Sequence, residues 1–207
     1  MSAVTLRTQV PLHLRADDGR LVEADVFTFS GLTDGLEHLA VGLGRHRGAA
    51  VPLVRVHSEC MTGDVFGSAR CDCGPQLREA IDRFAATGGY LVYLRQEGRG
   101  IGLYNKLEAY VLQDRGLDTY EANRAIGCPE DARDYRAAAE MLEALGRRTI
   151  DILTNNPDKV AQLRDTGLHV RSVQPTSAFV TDANVRYLRA KATRRAHALD
   201  LGLAAGR

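Results

Sequence analysis

The sequence predicts an α/β protein, a single layered α/β/α domain built on a mixed β-sheet. In the second half, short apolar runs alternate with stretches of helical periodicity, the pattern of strand–helix–strand units. In the first half, strand-like segments follow one another more closely, so the sheet is expected to be mixed rather than wholly parallel. The 207 residues suit one domain of ordinary size, long enough to bury a core without disulfides.

Each element has its own signal. Residues 21–30 alternate partly and read as a strand. Residues 37–43 are apolar and ambiguous between strand and helix. VPLVRV, residues 51–56, is a short apolar run of the buried-strand type. Residues 57–74 are small, polar and cysteine-bearing, and read as a loop. Helical periodicity covers residues 76–84. YLVYL, residues 90–94, reads as a buried strand and leads through a Gly-rich turn, residues 98–102, into a helix over 103–113. A further helix is expected over 132–145, with Met141, Leu142 and Leu145 on its apolar face. TIDIL, residues 149–153, is a strand. Asn156-Pro157 then reads as an N-cap followed by proline at the first helical position. A short helix, a strand near 169–173 and a polar C-terminal helical segment over about 180–207 complete the chain.

Composition narrows the function. Hydrophobic residues make up 44% and charged residues 26%, as in globular proteins, and the net charge of +1 gives no bulk field toward nucleic acid or membrane. There is no apolar run of membrane-spanning length, and the first twenty residues carry scattered charges and no apolar h-region. A cytoplasmic protein with no nucleic-acid or membrane partner is therefore expected.

Three of the four cysteines, Cys60, Cys71 and Cys73, fall within fourteen residues, which points to a metal rather than a disulfide framework. Thiolates are soft ligands that favour zinc. A structural zinc closes with four protein ligands, whereas a catalytic zinc keeps one position for water. Three clustered cysteines without a nearby fourth fit the open case. A structural site closed by His57 or Cys128, or three unligated thiols, are the alternatives. His57-Ser58-Glu59 also begins like a zinc nucleobase deaminase, but the Pro-Cys-x-x-Cys half of that pattern is missing.

The turn Arg95 to Gly102 follows a strand and opens a helix. Glycines there let the backbone approach a phosphate, and Arg99 adds a charged fork. Its glycine spacing matches neither a Walker loop nor a dinucleotide fingerprint, and a plain tight turn remains the alternative. Arg55 and Lys159 each read, taken alone, as solvated surface charges, and Asn156 as simple capping. Asp131 to Asp134 reads as acidic residues complementing a helix dipole. Glu97 is a candidate proton shuttle or acceptor for the N–H groups of a ligand. These motifs lie after VPLVRV, YLVYL and TIDIL, at the carboxyl strand ends where ligands sit in such sheets.

Taken together, RVHSECMTGDVFGSARCDCGPQL (55–77), RQEGRGIGLYNKLEAYVLQDRGLDTYEAN (95–123), DARDY (131–135) and LTNNPDK (153–159) closely resemble the GTP cyclohydrolase II family of riboflavin biosynthesis. The motif-dense core is about 51–175. The resemblance implies a GTP cyclohydrolase II-like fold and one catalytic Zn2+ on Cys60, Cys71 and Cys73. It implies water attack at C8 of GTP, with loss of formate and pyrophosphate, and Mg2+ accompanying the triphosphate. It places GTP contacts on Arg55, Val56, His57, Ser58, Glu59, Gln76, Glu97, Gly98, Arg99, Thr119, Thr154 and Lys159. It makes Asp131 the proton acceptor and Arg133 the group attacking the α-phosphorus, with Tyr110 near the zinc-side chemistry. A protonated guanidinium is a poor nucleophile, so charge stabilisation suits Arg133 better. The family also implies a homodimer. A paralogue that stops at the formamidopyrimidine is the alternative product reading. The chain departs from the family at Arg171-Ser172-Val173-Gln174-Pro175 and in the segment before Val51.

Overall fold

The computed structural model describes residues 3–181 together with Asn184 and Val185. The strands are β1 (Thr5–Arg15), β2 (Leu21–Ser30), β3 (Leu39–Leu43), β4 (Leu53–Ser58), β5 (Gly89–Leu94), β6 (Thr149–Leu153) and β7 (His169–Gln174). They form one sheet in the order β1-β2-β3-β5-β4-β6-β7. Pairing is antiparallel from β1 through β3 to β5 and parallel among β5, β4, β6 and β7. The sheet is mixed, as the uneven spacing of strands predicts. The helices are α1 (Met61–Asp64), α2 (Cys73–Thr87), α3 (Leu103–Asp114), α4 (Thr119–Ala125), α5 (Arg136–Ala144) and α6 (Pro157–Asp165).

Alternation along the strands divides the core between two faces. On β5, Tyr90, Val92 and Leu94 join α5 and α6 residues such as Met141, Leu142 and Leu163. Leu91 joins Leu43, Leu153 and the α2 residues Ala80 and Phe84 on the other face. Helices on both faces make the layered α/β arrangement. The parallel half brings the carboxyl ends of β4, β5 and β6 to one edge, with Ser58 beside Leu94 in the ladder.

Several elements differ from expectation for identifiable reasons. The ambiguous 37–43 segment is a strand from Leu39, and the 51–56 run is displaced to Leu53–Ser58. The expected 57–74 loop contains the end of β4, the single turn α1 and the start of α2. β1 is not among the expected strands, although Leu6, Val10, Leu12 and Leu14 alternate with polar residues; the strand is exposed along almost its whole length, with Leu6, Val10 and Leu12 facing outward. It is an edge strand, where Pro11 is tolerated. The helix expected from residue 132 begins only at Arg136. Asp131 accepts from the Arg133 N–H at 3.2 Å, Asp134 accepts from the Arg136 N–H at 2.8 Å, and Ala132 N donates to Arg99 O. Such local side-chain bonds compete with helical ones. α4 follows a capping box in which Asp118 and Glu121 exchange hydrogen bonds with each other's backbone. The Asn156 cap with Pro157 is as predicted. The C-terminal helix expected over about 180–207 lies almost wholly outside the described residues.

Candidate active site

Cys60 stands just past β4, and Cys71 and Cys73 stand at the entry to α2. Their sulfur atoms all lie within 4.8 Å of one another, with Cys60 Sγ and Cys71 Sγ 3.7 Å apart. A tetrahedral zinc with Zn–S near 2.3 Å spaces two sulfurs about 3.8 Å apart, so this donor set fits the ion. No fourth His, Cys, Asp or Glu joins the group among the described residues. His57 instead sets its Nε2 against Asp64, 3.1 Å from either carboxylate oxygen. Among the described residues the donor set is therefore three thiols, with His57 engaged by Asp64 and Cys128 outside the group.

Two glycines make the cluster sterically feasible. A Cβ at Gly63 would sit 2.7 Å from Cys71 Sγ and 3.2 Å from Cys60 Sγ. One at Gly74 would sit 2.3 Å from Gly63 O, so α1 and α2 touch backbone to backbone. Gly63→Ala is expected to destabilise the fold by about 1–3 kcal/mol and to lower metal uptake, read by thermal unfolding and metal stoichiometry. Unchanged values for both would mean that the sulfurs can spread at no cost.

Behind Cys60, the buried Asp64 carboxylate also accepts from Cys60 N at 3.0 Å and from Tyr93 OH at 2.9 Å. The His57 ring stacks on Tyr93 at 5.5 Å. Burial, aided by nearby Arg55, lowers the His57 pKa despite Asp64, so the ring is neutral and donates Nε2–H. Lys106 on α3 reaches Cys60 Sγ at 3.2 Å, Thr62 Oγ1 at 2.9 Å and Glu97 Oε1 at 2.9 Å. Burial works against its ammonium, but the Glu97 hydrogen bond and the Cys60 sulfur outweigh it and raise its pKa.

Glu97 opens a tight turn, Glu97–Gly100. Its carboxylate also accepts from Met61 N at 2.7 Å and from Gly98 N at 2.8 Å. Of about four lone-pair positions on a carboxylate, three are in use. Gly98 and Arg99 are both left-handed, with φ of 62° and 63°, and Arg99 is the only non-glycine in that region among the described residues. Backbone held so against its preference clusters at functional sites. The Arg99 guanidinium lies 5.0 Å from the centre of the Tyr120 ring. Arg95, which the sequence grouped with Arg99, turns outward to Glu59 at 3.6 Å and lies outside the cavity.

Arg55 and Lys159, which read singly as surface charges, are both buried. Arg55 donates to Gln76 Oε1 at 2.7 Å, and Gln76 donates to Asp72 at 2.6 Å. Arg55 Nε is buried without a hydrogen-bond partner among the described residues. A buried donor left so is costly unless something else accepts from it. Lys159 donates to Val56 O and lies 5.2 Å from the Tyr135 ring centre. Ser58 Oγ accepts from Gln96 at 2.9 Å, and Thr154 Oγ1 accepts from Asn156 N at 3.1 Å. Tyr110, one turn after Lys106, carries the Arg70 guanidinium 4.4 Å from its ring centre.

One cavity collects these groups. Every predicted metal and GTP residue lines it, from Arg55 through Cys73, Gln76 and Thr119 to Lys159, as do Tyr110 and Arg133. Asp131 does not. It stands behind Arg133, accepting from its Nε at 2.8 Å and its second nitrogen at 2.5 Å. Burial alone would raise the Asp131 pKa, but the Arg133 hydrogen bonds outweigh it and hold the carboxyl below the usual range. The sequence reading passed over Asp64, Tyr93 and Lys106. Only Lys106 left a signal, four residues before Tyr110 and so on the same helix face.

A mixed sheet opening a cleft at its parallel strand ends, where a thiol cluster meets buried cations, defines a class of α/β enzyme. Within that class the chain belongs to the GTP cyclohydrolase II family, whose sequence model matches residues 14–175. It is similar to GTP cyclohydrolase-2 of Psychromonas ingrahamii, 49% identical over 195 residues that span 94% of this chain and 96% of that protein. It is similar also to GTP cyclohydrolase-2 of Vibrio parahaemolyticus, 51% identical over 86% of this chain and 90% of that one. Riboflavin biosynthesis protein RibBA of Bacillus subtilis is 50% identical over 92% of this chain but 48% of its own length. The chain is accordingly a hydrolase of this family.

Proposed function

We propose that the protein opens the imidazole ring of GTP at C8. It releases formate and pyrophosphate and leaves 2,5-diamino-6-ribosylamino-4(3H)-pyrimidinone 5′-phosphate, the first step toward riboflavin. The observation that carries this reading is the single cavity in which the three thiols face Arg55, Arg99, Arg133 and Lys159. A thiol-held metal beside so many cations suits a base attached to a polyphosphate. The relatives' names, GTP cyclohydrolase-2 and a riboflavin biosynthesis protein, agree with it.

In this reading Cys60, Cys71 and Cys73 hold one zinc ion. When bound, zinc supplies Lewis acidity and lowers the pKa of water at the site. The chain's own residues do the rest. Arg55 and Gln76, the Val56 to Glu59 strand end, and the Glu97-Gly98-Arg99 turn orient the base and phosphates. Thr119, Thr154 and Lys159 complete the grip, and Mg2+ accompanies the triphosphate. Tyr110 stands near the metal side. Arg133 stabilises charge at the α-phosphate. A carboxyl held below its usual pKa is a weak base, so Asp131 acts chiefly by aiming Arg133 through its paired hydrogen bonds.

The protein works in the cytoplasm as a homodimer. Tyr104, Leu107 and Val111, exposed along one face of α3, support a self-association surface. No helix among the described residues is long and apolar enough to cross a membrane.

The test is to incubate metal-assayed protein with GTP and Mg2+ and quantify formate, pyrophosphate and ammonia. Formate and pyrophosphate in equal amounts are expected. Pyrophosphate without formate would identify arrest at the formamidopyrimidine, and ammonia would identify a deaminase.

A further inference from the structure

We propose that Lys106 is the counter-ion that lets the thiol cluster and the Glu97 carboxylate share one buried corner, and so sets both the hold on the metal and its electronic character. The proposal rests on the reading that the three thiols bind zinc.

A lysine that is 8% exposed needs a reason, because burying an ammonium is costly unless it is paired. Lys106 has three donors, and all three have partners: Cys60 Sγ, Thr62 Oγ1 and Glu97 Oε1. Two of the three partners carry or develop negative charge. Cys60 and Glu97 therefore meet around one cation and not against each other. Without that cation, a carboxylate would face a cluster of thiolates inside the protein, where like charges repel far more strongly than in water.

The same contact reaches beyond the cluster. Glu97 also fastens Met61 N and Gly98 N. One ammonium thus ties the loop that carries Cys60 to the left-handed turn at Gly98 and Arg99. It also makes the three sulfurs unequal, because the Cys60 sulfur gives part of its electron density to an N–H donor. That leaves less density for the metal.

The test uses the full chain with either zinc or cobalt(II) as the probe. Zinc affinity is read by competition with a chromophoric chelator. The thiolate-to-cobalt charge-transfer band is read by absorption. Lys106→Met is expected to weaken zinc about 10–100-fold, the usual cost of losing a partner to a ligand. It is also expected to move the charge-transfer band to lower energy. Adding Glu97→Gln to Lys106→Met removes the stranded carboxylate and is expected to recover most of the lost affinity. A lysine that only fills space would give neither the band shift nor the recovery. Wild-type affinity with an unmoved band in Lys106→Met overturns the proposal, as does a double variant no better than the single one. A wild-type protein that takes up neither metal overturns the thiol reading itself. If Lys106→Met does not fold, Lys106→Gln is read in the same two assays.

Discussion

A Cys71→Ser variant is expected to release no measurable formate from GTP and to hold less than one zinc per chain. Cys71 is buried, and its sulfur is 3.7 Å from that of Cys60, the spacing a shared tetrahedral ion requires. Serine replaces a soft, readily ionised donor with a hard hydroxyl that holds its proton at neutral pH. Two thiolates remain, and Gly63 still presses its backbone into the space beside them. The fold should survive, because the two core clusters lie around α2, α5 and α6 rather than around the cysteines. Thermal unfolding of the zinc-free wild type is the matching control. Formate release at the wild-type rate from a zinc-free Cys71→Ser protein would end the metal's role in ring opening.

How much of this was legible in the sequence depends on whether a residue's meaning is local. The cysteine spacing was enough to raise an open site, because three soft donors within one loop need little else to meet. The Asn156 cap and the strand–helix alternation were legible for the same reason. Arg55 and Lys159 were not. A lone arginine at the end of VPLVRV reads as surface charge, and only the packing of α2 and α6 on the sheet buries it. The Asp118 and Glu121 capping box was a local signal that went unread, and α4 with it. β1 was legible in principle, since Leu6, Val10, Leu12 and Leu14 all fall on alternate positions, but Pro11 and the scattered charges broke the run and most of that face stays exposed in the fold. Asp131 went the other way. Its acidic run looked like a helix start, yet its side chain folds back onto its own backbone and onto Arg133.

That pairing sets the second large effect. Arg133→Ala is expected to cut pyrophosphate release about 10²–10³-fold, the usual cost of removing a charged donor aimed at a developing oxyanion. The substitution also strands Asp131, whose side chain is only 12% exposed. Asp131→Asn is therefore the control for loss of the pair alone. Arg133→Lys, together with the intact mass of wild-type protein quenched during turnover, separates two accounts of the arginine. Lysine keeps the positive charge but cannot donate the planar two-point pair that Asp131 accepts from the guanidinium. If Arg133 stabilises charge, the lysine variant keeps a measurable part of the rate. If the guanidinium itself bonds to phosphorus, the wild-type chain quenched during turnover carries a covalent nucleotidyl group, which intact mass reads. Two hydrogen bonds donated to the Asp131 carboxylate favour the charged guanidinium over the neutral form that a nucleophile needs. The geometry thus predicts the partial rate, read as pyrophosphate formed in a single turnover. Wild-type turnover in Arg133→Ala would remove Arg133 from the mechanism.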